Sequence, residues 1–247
     1  AGQPRNRIAR LEADGQIDVA FTNAGADSFV YSFAVRPDGK IWVAGGFTNL
    51  CGQSRQYLGR LSGGGSLDTT FTNDANAVVR RVARQPDGKL LVAGDFTALA
   101  GQPRGRLARL NVDDTLDTSF TNGANNIVYS LLVQPDQRIL VGGFFSSLGN
   151  QPRNYIGRLH PDGSLDTTLT NGVSGNEVYA IALQSDWRML VGGVFTNLAG
   201  QPREYLGRLI ADGALDAPFT NQTDYAVASL GVQAGGSVVA GNFANLA

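Results

Sequence analysis

Five Arg–Asp couples recur along this chain at a constant separation of eight residues: Arg10 and Asp18, Arg60 and Asp68, Arg109 and Asp117, Arg158 and Asp166, Arg208 and Asp216. A guanidinium and a carboxylate at such spacing can form a forked ion pair across a tight turn, or the five carboxylates can face outward as acidic sites. A second set of arginines, Arg5, Arg55, Arg104, Arg153 and Arg203, follows Gly-Gln-Pro or its variants. Asparagines Asn23, Asn73, Asn122, Asn171 and Asn221 each follow a Thr. A rim of Arg and Asn is a candidate ligand-binding surface for sugars or carboxylates, and five weak sites would gain by avidity. The plainer reading is that Gln-Pro is turn chemistry, and that these Arg and Asn side chains cap carbonyls or bridge neighbouring units. A third group is Arg80, Arg81 and Arg84, which stand where another copy of the same segment has Tyr31, Ser32 and Val35. Three cations on one segment can form an anion site, although a buried Arg requires a partner and the alternative is that at least one points to solvent or meets a carboxylate.

Other catalytic chemistry finds little footing. His160 is the one histidine and runs toward a turn, so no nucleophile–base pair is identified. Cys51, the one cysteine, excludes an intramolecular disulfide and reads as a small buried filler in place of an Ala. The Asp-Gly turns lack the alternating oxygen ligands of a calcium loop, so neither a metal nor a cofactor is expected.

The elements that position these residues are repeats. GQPRNRIARL at Gly2 returns at Gly52, Gly101, Asn150 and Gly200, at spacings of 50, 49, 49 and 50 residues. Each copy holds four short segments rich in β-branched and aromatic residues and bounded by turn formers. In the first they are Ile8 to Leu11, Ile17 to Phe21, Val30 to Val35 and Ile41 to Phe47, with Ala13-Asp14-Gly15 and Pro37-Asp38-Gly39 between members of each hairpin. Gly at these turns supplies positive φ and Pro presets the turn. No window sustains a helical apolar period. A small sheet with two apolar faces must stack on neighbours, and radial stacking gives an all-β, five-bladed β-propeller with four antiparallel strands per blade. The chain is read as one domain, residues 1–247, with repeats 1–50, 51–99, 100–148, 149–198 and 199–247.

The small-residue column Ser32, Ala34, Ala83, Ala182 and Gly231 makes the Val30-to-Val35 segment innermost. The chain then begins with two outer strands and ends with two inner ones, so closure through a composite blade from both ends is expected. With Arg10 opposite Asp18 on the outer hairpin, each blade carries a cross-strand pair worth roughly 0.2–1 kcal/mol if exposed. Five-bladed glycosidases use carboxylates facing a central cavity. The innermost segments here hold no Asp or Glu between their first and last apolar residues, so no catalytic residue is assigned.

Leu110-Asn111 through Thr115-Leu116-Asp117-Thr118-Ser119-Phe120, and Gln85-Pro86-Asp87-Gly88-Lys89-Leu90-Leu91-Val92, resemble the signature of the bacterial delta-sixty repeat family. The resemblance covers essentially the whole chain. It implies a propeller-forming repeat of secreted or cell-surface bacterial proteins, with no enzymatic activity in the repeat itself. Gln137, Ser185-Asp186-Trp187 and Ala234-Gly235-Gly236 depart from the turn pattern and are expected to alter turn geometry.

The 20 basic and 21 acidic residues leave a net charge of −1 without a run of like charge, which argues against nucleic acid as a partner. No apolar stretch is long enough for membrane insertion, and Ala1 opens no signal-peptide pattern. We expect a monomeric, non-enzymatic binding or scaffold module, lectin-like with carbohydrate or else another protein as partner; a glycoside hydrolase is the reading from another class.

Overall fold

The turn Arg36-Pro37-Asp38-Gly39-Lys40 shows how one repeat is folded locally. Arg36 N–H donates to Lys40 O (2.8 Å), Gly39 N–H to Arg36 O (3.0 Å), and Lys40 N–H to Asp38 Oδ1 (3.1 Å), with Gly39 at φ 81°. This closes strand β1 (Val30–Val35) onto β2 (Ile41–Gly45). The same turn persists where its Gly is replaced: Gln137 and Trp187 adopt φ 68° and 67°. The expected change of turn geometry at these two positions does not occur, because the flanking ladders hold the backbone in the left-handed region at a local cost.

The structure is a computed structural model and describes residues 5–22, 25–169 and 172–246. No helix occurs among them, so none is long and apolar enough to cross a membrane. The chain divides into two compact units, Ala1–Ser119 and Phe120–Ala247, each taken by itself.

In the first unit β1, β2 and β5 (Leu58–Leu61) form one antiparallel sheet, and β3 (Asn49–Leu50) and β4 (Gln53–Ser54) form a miniature hairpin. The next repeat duplicates this with β6 (Val79–Arg84), β7 (Leu90–Gly94), hairpin β8 (Ala98–Leu99) and β9 (Gln102–Pro103), and β10 (Leu107–Leu110). The second unit continues with β11 (Val128–Val133), β12 (Ile139–Gly143), hairpin β13 (Ser147–Leu148) and β14 (Gln151–Pro152), and β15 (Ile156–Leu159). Its next sheet joins β16 (Val173–Leu183), β17 (Met189–Leu198), β18 (Gln201–Pro202) and β19 (Leu206–Leu209). The last pair, β20 (Val227–Gln233) and β21 (Gly236–Gly241), forms a two-stranded sheet.

The expectation of four strands per repeat requires correction. The outermost strand is a single bridge, Leu11 to Ile17, Leu61 to Leu67, Leu110 to Leu116, Leu159 to Leu165 and Leu209 to Leu215. One residue later the Asp turns its carboxylate back on its own backbone: Asp68 Oδ1 accepts the Thr70 N–H (3.1 Å) and hydroxyl (2.6 Å). That local bond competes with the ladder and ends it. The loops at Gly52, Gly101, Asn150 and Gly200, conversely, hold unforeseen hairpins whose two turn residues both have positive φ, as at Cys51 (53°) and Gly52 (78°). Cys51 is therefore a half-buried turn residue rather than a buried filler.

The first strand of each repeat lies against its successor within a unit: β1 beside β6, and β16 between β11 and β20. Each carries a bulge at the equivalent position, between Val30 and Ser32, Val79 and Arg81, Val128 and Ser130, Val178 and Ala180, and Val227 and Ser229. The bulge forces the backbones of the inner hairpin together. A Cβ on Gly45, Gly94, Gly143, Gly193 or Gly241 would overlap the carbonyl oxygen of Phe29, Val78, Ile127, Glu177 or Ala226 on the facing segment, which is why the second strand carries Gly at this point each time. Core side chains such as Phe47, Phe71, Phe96, Leu90 and Val92 are fully buried.

Gly143→Ala is expected to cost about 1–3 kcal/mol, because main chain rather than a flexible side chain must move. Gln137→Gly should stabilise by about 0.5–1 kcal/mol by removing the left-handed cost. Urea unfolding midpoints of the two variants against the parent protein measure both.

Candidate functional site

The five Arg–Asp couples are formed. The Arg Nε donates to Asp Oδ2 at 2.6 Å for Arg10–Asp18, 2.8 Å for Arg60–Asp68 and Arg109–Asp117, and 2.7 Å for Arg158–Asp166 and Arg208–Asp216. Their exposure is graded: the Arg10 side chain is 42% exposed and Arg208 is partly buried, whereas Arg158 and Asp166 are both 0% exposed. Inter-repeat stacking covers the Arg158–Asp166 pair, so removing one partner there would strand a buried charge.

Each pair is embedded in further bonds. A second cation from the inner turn meets the same carboxylate: Lys40 on Asp68 at 2.9 Å, Lys89 on Asp117 at 3.1 Å, Arg138 on Asp166 at 3.7 Å and Arg188 on Asp216 at 3.1 Å. The guanidinium stacks over a Phe, at 4.7 Å for Arg10 on Phe21, 5.0 Å for Arg60 on Phe71 and 4.5 Å for Arg208 on Phe219. Its remaining N–H groups reach the following repeat's outer turn: Arg10 to Gly63 O, Arg60 to Asp114 Oδ2 (2.5 Å) and Arg158 to Ala211 O (3.2 Å).

This surrounding sets the carboxyl pKa. At Asp166 burial favours the neutral acid, but the Thr168 hydroxyl and N–H and the Arg158 guanidinium outweigh it and bring the value down to about 2. Asp68 and Asp117 are lowered further, against burial, by Thr70 or Ser119 and their paired cations. Asp18 is lowered chiefly by its bond from Arg10.

The loop arginines are turned inward. Arg55, Arg104, Arg153 and Arg203 each donate Nη1 to the carbonyl of the preceding residue at 2.6–2.7 Å, and Arg203 also reaches Phe219 O and Ala217 O, both at 3.1 Å. Arg5 is half-buried at the start of the described chain. Asn73 and Asn122 donate to Asp114 O (2.6 Å) and Gly163 O (2.9 Å) in the next repeat's turn. Asn221 is exposed, while Asn23 and Asn171 lie outside the described residues. Arg55, Arg104, Arg153 and Arg203 thus cap carbonyls, and Asn73 and Asn122 bridge to the next repeat.

Arg80, Arg81 and Arg84 do not converge. The bulge sends Arg80 to Asp95, which it grips through two bonds of 2.5 and 2.8 Å. Arg81 donates to Tyr31 O (3.0 Å), and burial followed by the nearby Arg80 charge lowers its pKa. Arg84 is exposed in a cleft of about 290 Å³ whose walls include Arg36, Asp38, Trp42, Asp87 and Val112. The sequence reading missed this cleft. Its signal was a break in the repeat, since Trp42 replaces Leu91, Leu140 and Leu190, and Arg36 replaces Gln85, Gln134 and Gln184. Also missed was Glu177, which β16 carries ahead of the expected strand, accepting the Tyr179 hydroxyl at 2.5 Å.

A family described as a domain of unknown function, DUF5122 beta-propeller, matches residues 1–21, 36–71, 85–120, 134–169 and 184–219. No curated protein matches the sequence. Among solved structures, the extracellular domain of a one-component system from B. thetaiotaomicron aligns with TM-score 0.54 and 13% identity over 92% of this chain and 28% of that one. Virginiamycin B lyase from Staphylococcus aureus aligns with TM-score 0.51 and 16% identity over 93% and 68%. A protein described as a gluconolactonase gives TM-score 0.51 and 14% identity over 92% and 74%. At these identities the likeness is one of fold.

Asp166→Asn is expected to destabilise by about 3–5 kcal/mol, since Arg158 remains buried without its counter-charge. A carboxyl whose folded pKa lies below its unfolded value of about 4 contributes stability above that value and loses it as pH falls toward the folded value. Stability of the parent should therefore drop between about pH 4 and pH 2, and the Asn variant should drop less steeply, as followed by circular dichroism in urea.

Proposed function

The chain belongs to the DUF5122 β-propeller family, and from that premise we propose that it is a non-enzymatic binding or scaffold module, lectin-like in presenting small sites on a rigid repeat frame. What carries this reading is the fate of the recurring polar residues. The Arg–Asp couples and the bonded members of the loop Arg and Asn sets hold backbone and neighbouring repeats. Function then falls to departures from the repeat, such as the Trp42 cleft. A protein–protein contact domain of a surface protein is the alternative within the same class.

Hydrolysis would require two cooperating carboxylates. Strands β1, β6, β11 and β20 carry no Asp or Glu, and Glu177 on β16 is tied to Tyr179. Kinship with the delta-sixty repeats and a place outside a bacterial cell belong to the same proposal. What supports the extracellular part is the likeness to the extracellular domain of the B. thetaiotaomicron one-component system, of which this chain spans 28%.

We extend the proposal to a five-bladed ring, closed by a blade drawn from both chain ends and acting as one monomeric domain. Its support is complementary: the first repeat has Leu11 and Val19 at 61% and 69% exposure, and the last sheet has Val232 and Val238 at 38% and 56%. Apolar edges of this kind are stabilised by being covered.

A glycan array is expected to show saturable binding, and chromogenic glycosides are expected to release no product. Product release abolished by Glu177→Gln would overturn the non-enzymatic reading. Deleting residues 1–21 should unfold or oligomerise the protein, and a stable monomer by light scattering would refute the composite closure.

A further inference from the structure

The repeat itself shows what normally fills the space beside the inner turn. Gln134 donates to Ala211 O (3.1 Å), and Gln184 donates to Ser237 Oγ and accepts from Arg208, both at 3.3 Å, so each amide bridges to neighbouring structure. In the first repeat the corresponding residue is Arg36, which instead lies over the Trp42 ring at 5.1 Å and meets Asp38 at 3.3 Å and Asp114 at 3.4 Å. The cleft of about 290 Å³ opens beside this pair.

Its chemistry is specific. Trp42, which lines the cleft, is 1% exposed and its indole Nε1–H is buried without a hydrogen-bond partner. A buried donor in that state costs free energy until an acceptor arrives. Arg84, at a position held elsewhere by Val35, Val133, Leu183 and Val232, is exposed and forms no ion pair among the described residues. Asp87 uses Oδ1 on the Lys89 N–H (3.1 Å), while the Lys89 ammonium goes to Asp117. Pro37, Pro86 and Val112 add apolar wall.

Two donors, a carboxylate and apolar surface in a space without net charge fit a ring of hydroxyls with a C–H face. A simple anion would leave Asp38 and Asp87 facing it, and a hydrocarbon would leave the indole N–H unmet. At about 30 Å³ per displaced water, the space holds roughly ten waters, the bulk of one sugar ring. We propose that the cleft is a monosaccharide subsite that takes a single hexopyranose, with Arg84 donating to a ring hydroxyl, Asp87 accepting from one, and a shift of the buried Trp42 side chain bringing its Nε1 to a further hydroxyl. The proposal rests on the binding-module reading and adds to it a place and a ligand class.

Trp42 and Trp187 are the two tryptophans, so a ¹⁵N-labelled protein shows two indole resonances and Trp187→Phe assigns them. Titration with glucose, galactose and mannose is expected to shift the Trp42 indole saturably for at least one sugar, with a dissociation constant of about 1 mM or above. Trp42→Leu, the residue that other repeats use there, should abolish binding, and Arg84→Val should weaken it tenfold or more with an unchanged unfolding midpoint. Sugar binding seen on the glycan array that leaves the Trp42 indole unmoved, and that both variants retain, overturns the subsite while the binding-module reading stands. Silence of the array and of all three titrations overturns the subsite and the lectin-like reading together. Should Trp42→Leu fail to fold, the exposed Arg84→Val variant decides alone.

Discussion

A guanidinium buried between repeats, with one edge on its own carboxylate and the other on the next turn, is the contact from which most of this architecture follows. Burying Arg158 and Asp166 would be unfavourable if either kept unmet groups. The surrounding bonds remove that penalty: Asp166 accepts from Arg158 Nε and from the Thr168 N–H and hydroxyl, while Arg158 also reaches Ala211 O. The Thr or Ser two residues after most of these aspartates is thereby explained, and so is the early end of the outer strand. The same contact accounts for a skewed composition. One flat, forked cation has to pair, bridge and stack at once, as Arg60 does with Asp68, Asp114 and Phe71, and an ammonium cannot. The two lysines, Lys40 and Lys89, sit where only a point charge is required, and Arg138 and Arg188 substitute for them in later copies.

How much of this could be read beforehand depended on range. The period, the inner hairpins and the pairing of Arg10 with Asp18 across a short turn follow from neighbours in sequence, and they were legible. The full burial of Arg158 with Asp166 was not, because it arises from repeats some 50 residues apart, as with Arg158 and Ala211. The outer strand was misjudged for a local reason, since a β-rich segment such as Leu67-Asp68-Thr69-Thr70 is overruled by one side chain bonding its own backbone. The bulge was equally hidden, and with it the destination of Arg80, although Asp95 in the same repeat stood as an unexplained departure from Gly46.

Regularity and departure therefore carry different information. A residue present in every copy is constrained by stacking, and its chemistry is answered within the frame. A residue present once is released from that constraint. Some such changes compensate each other, as Arg80 and Asp95 do. Trp42, Arg36 and Arg84 instead leave a space and an unmet donor, and Glu177 with Tyr179 introduces a polar pair beside the tilted Tyr129–Tyr179 rings, 5.4 Å apart.

Several of the bonds that join one repeat to the next end on main-chain carbonyls: Gly63 O, Ala211 O, Asp114 O and Gly163 O. Every residue type supplies that acceptor. At these bonds the joint does not depend on the acceptor's side chain, although the outer turns are not free to carry any residue: Asp114 also pairs with Arg60 through its carboxylate, and a Cβ on Gly65, Gly163 or Gly213 would press into Phe21, Phe120 or Leu169. Duplicated copies that keep those glycines, or an equivalent turn, can therefore vary the residues beside them and retain the carbonyl bonds that join one unit to the next.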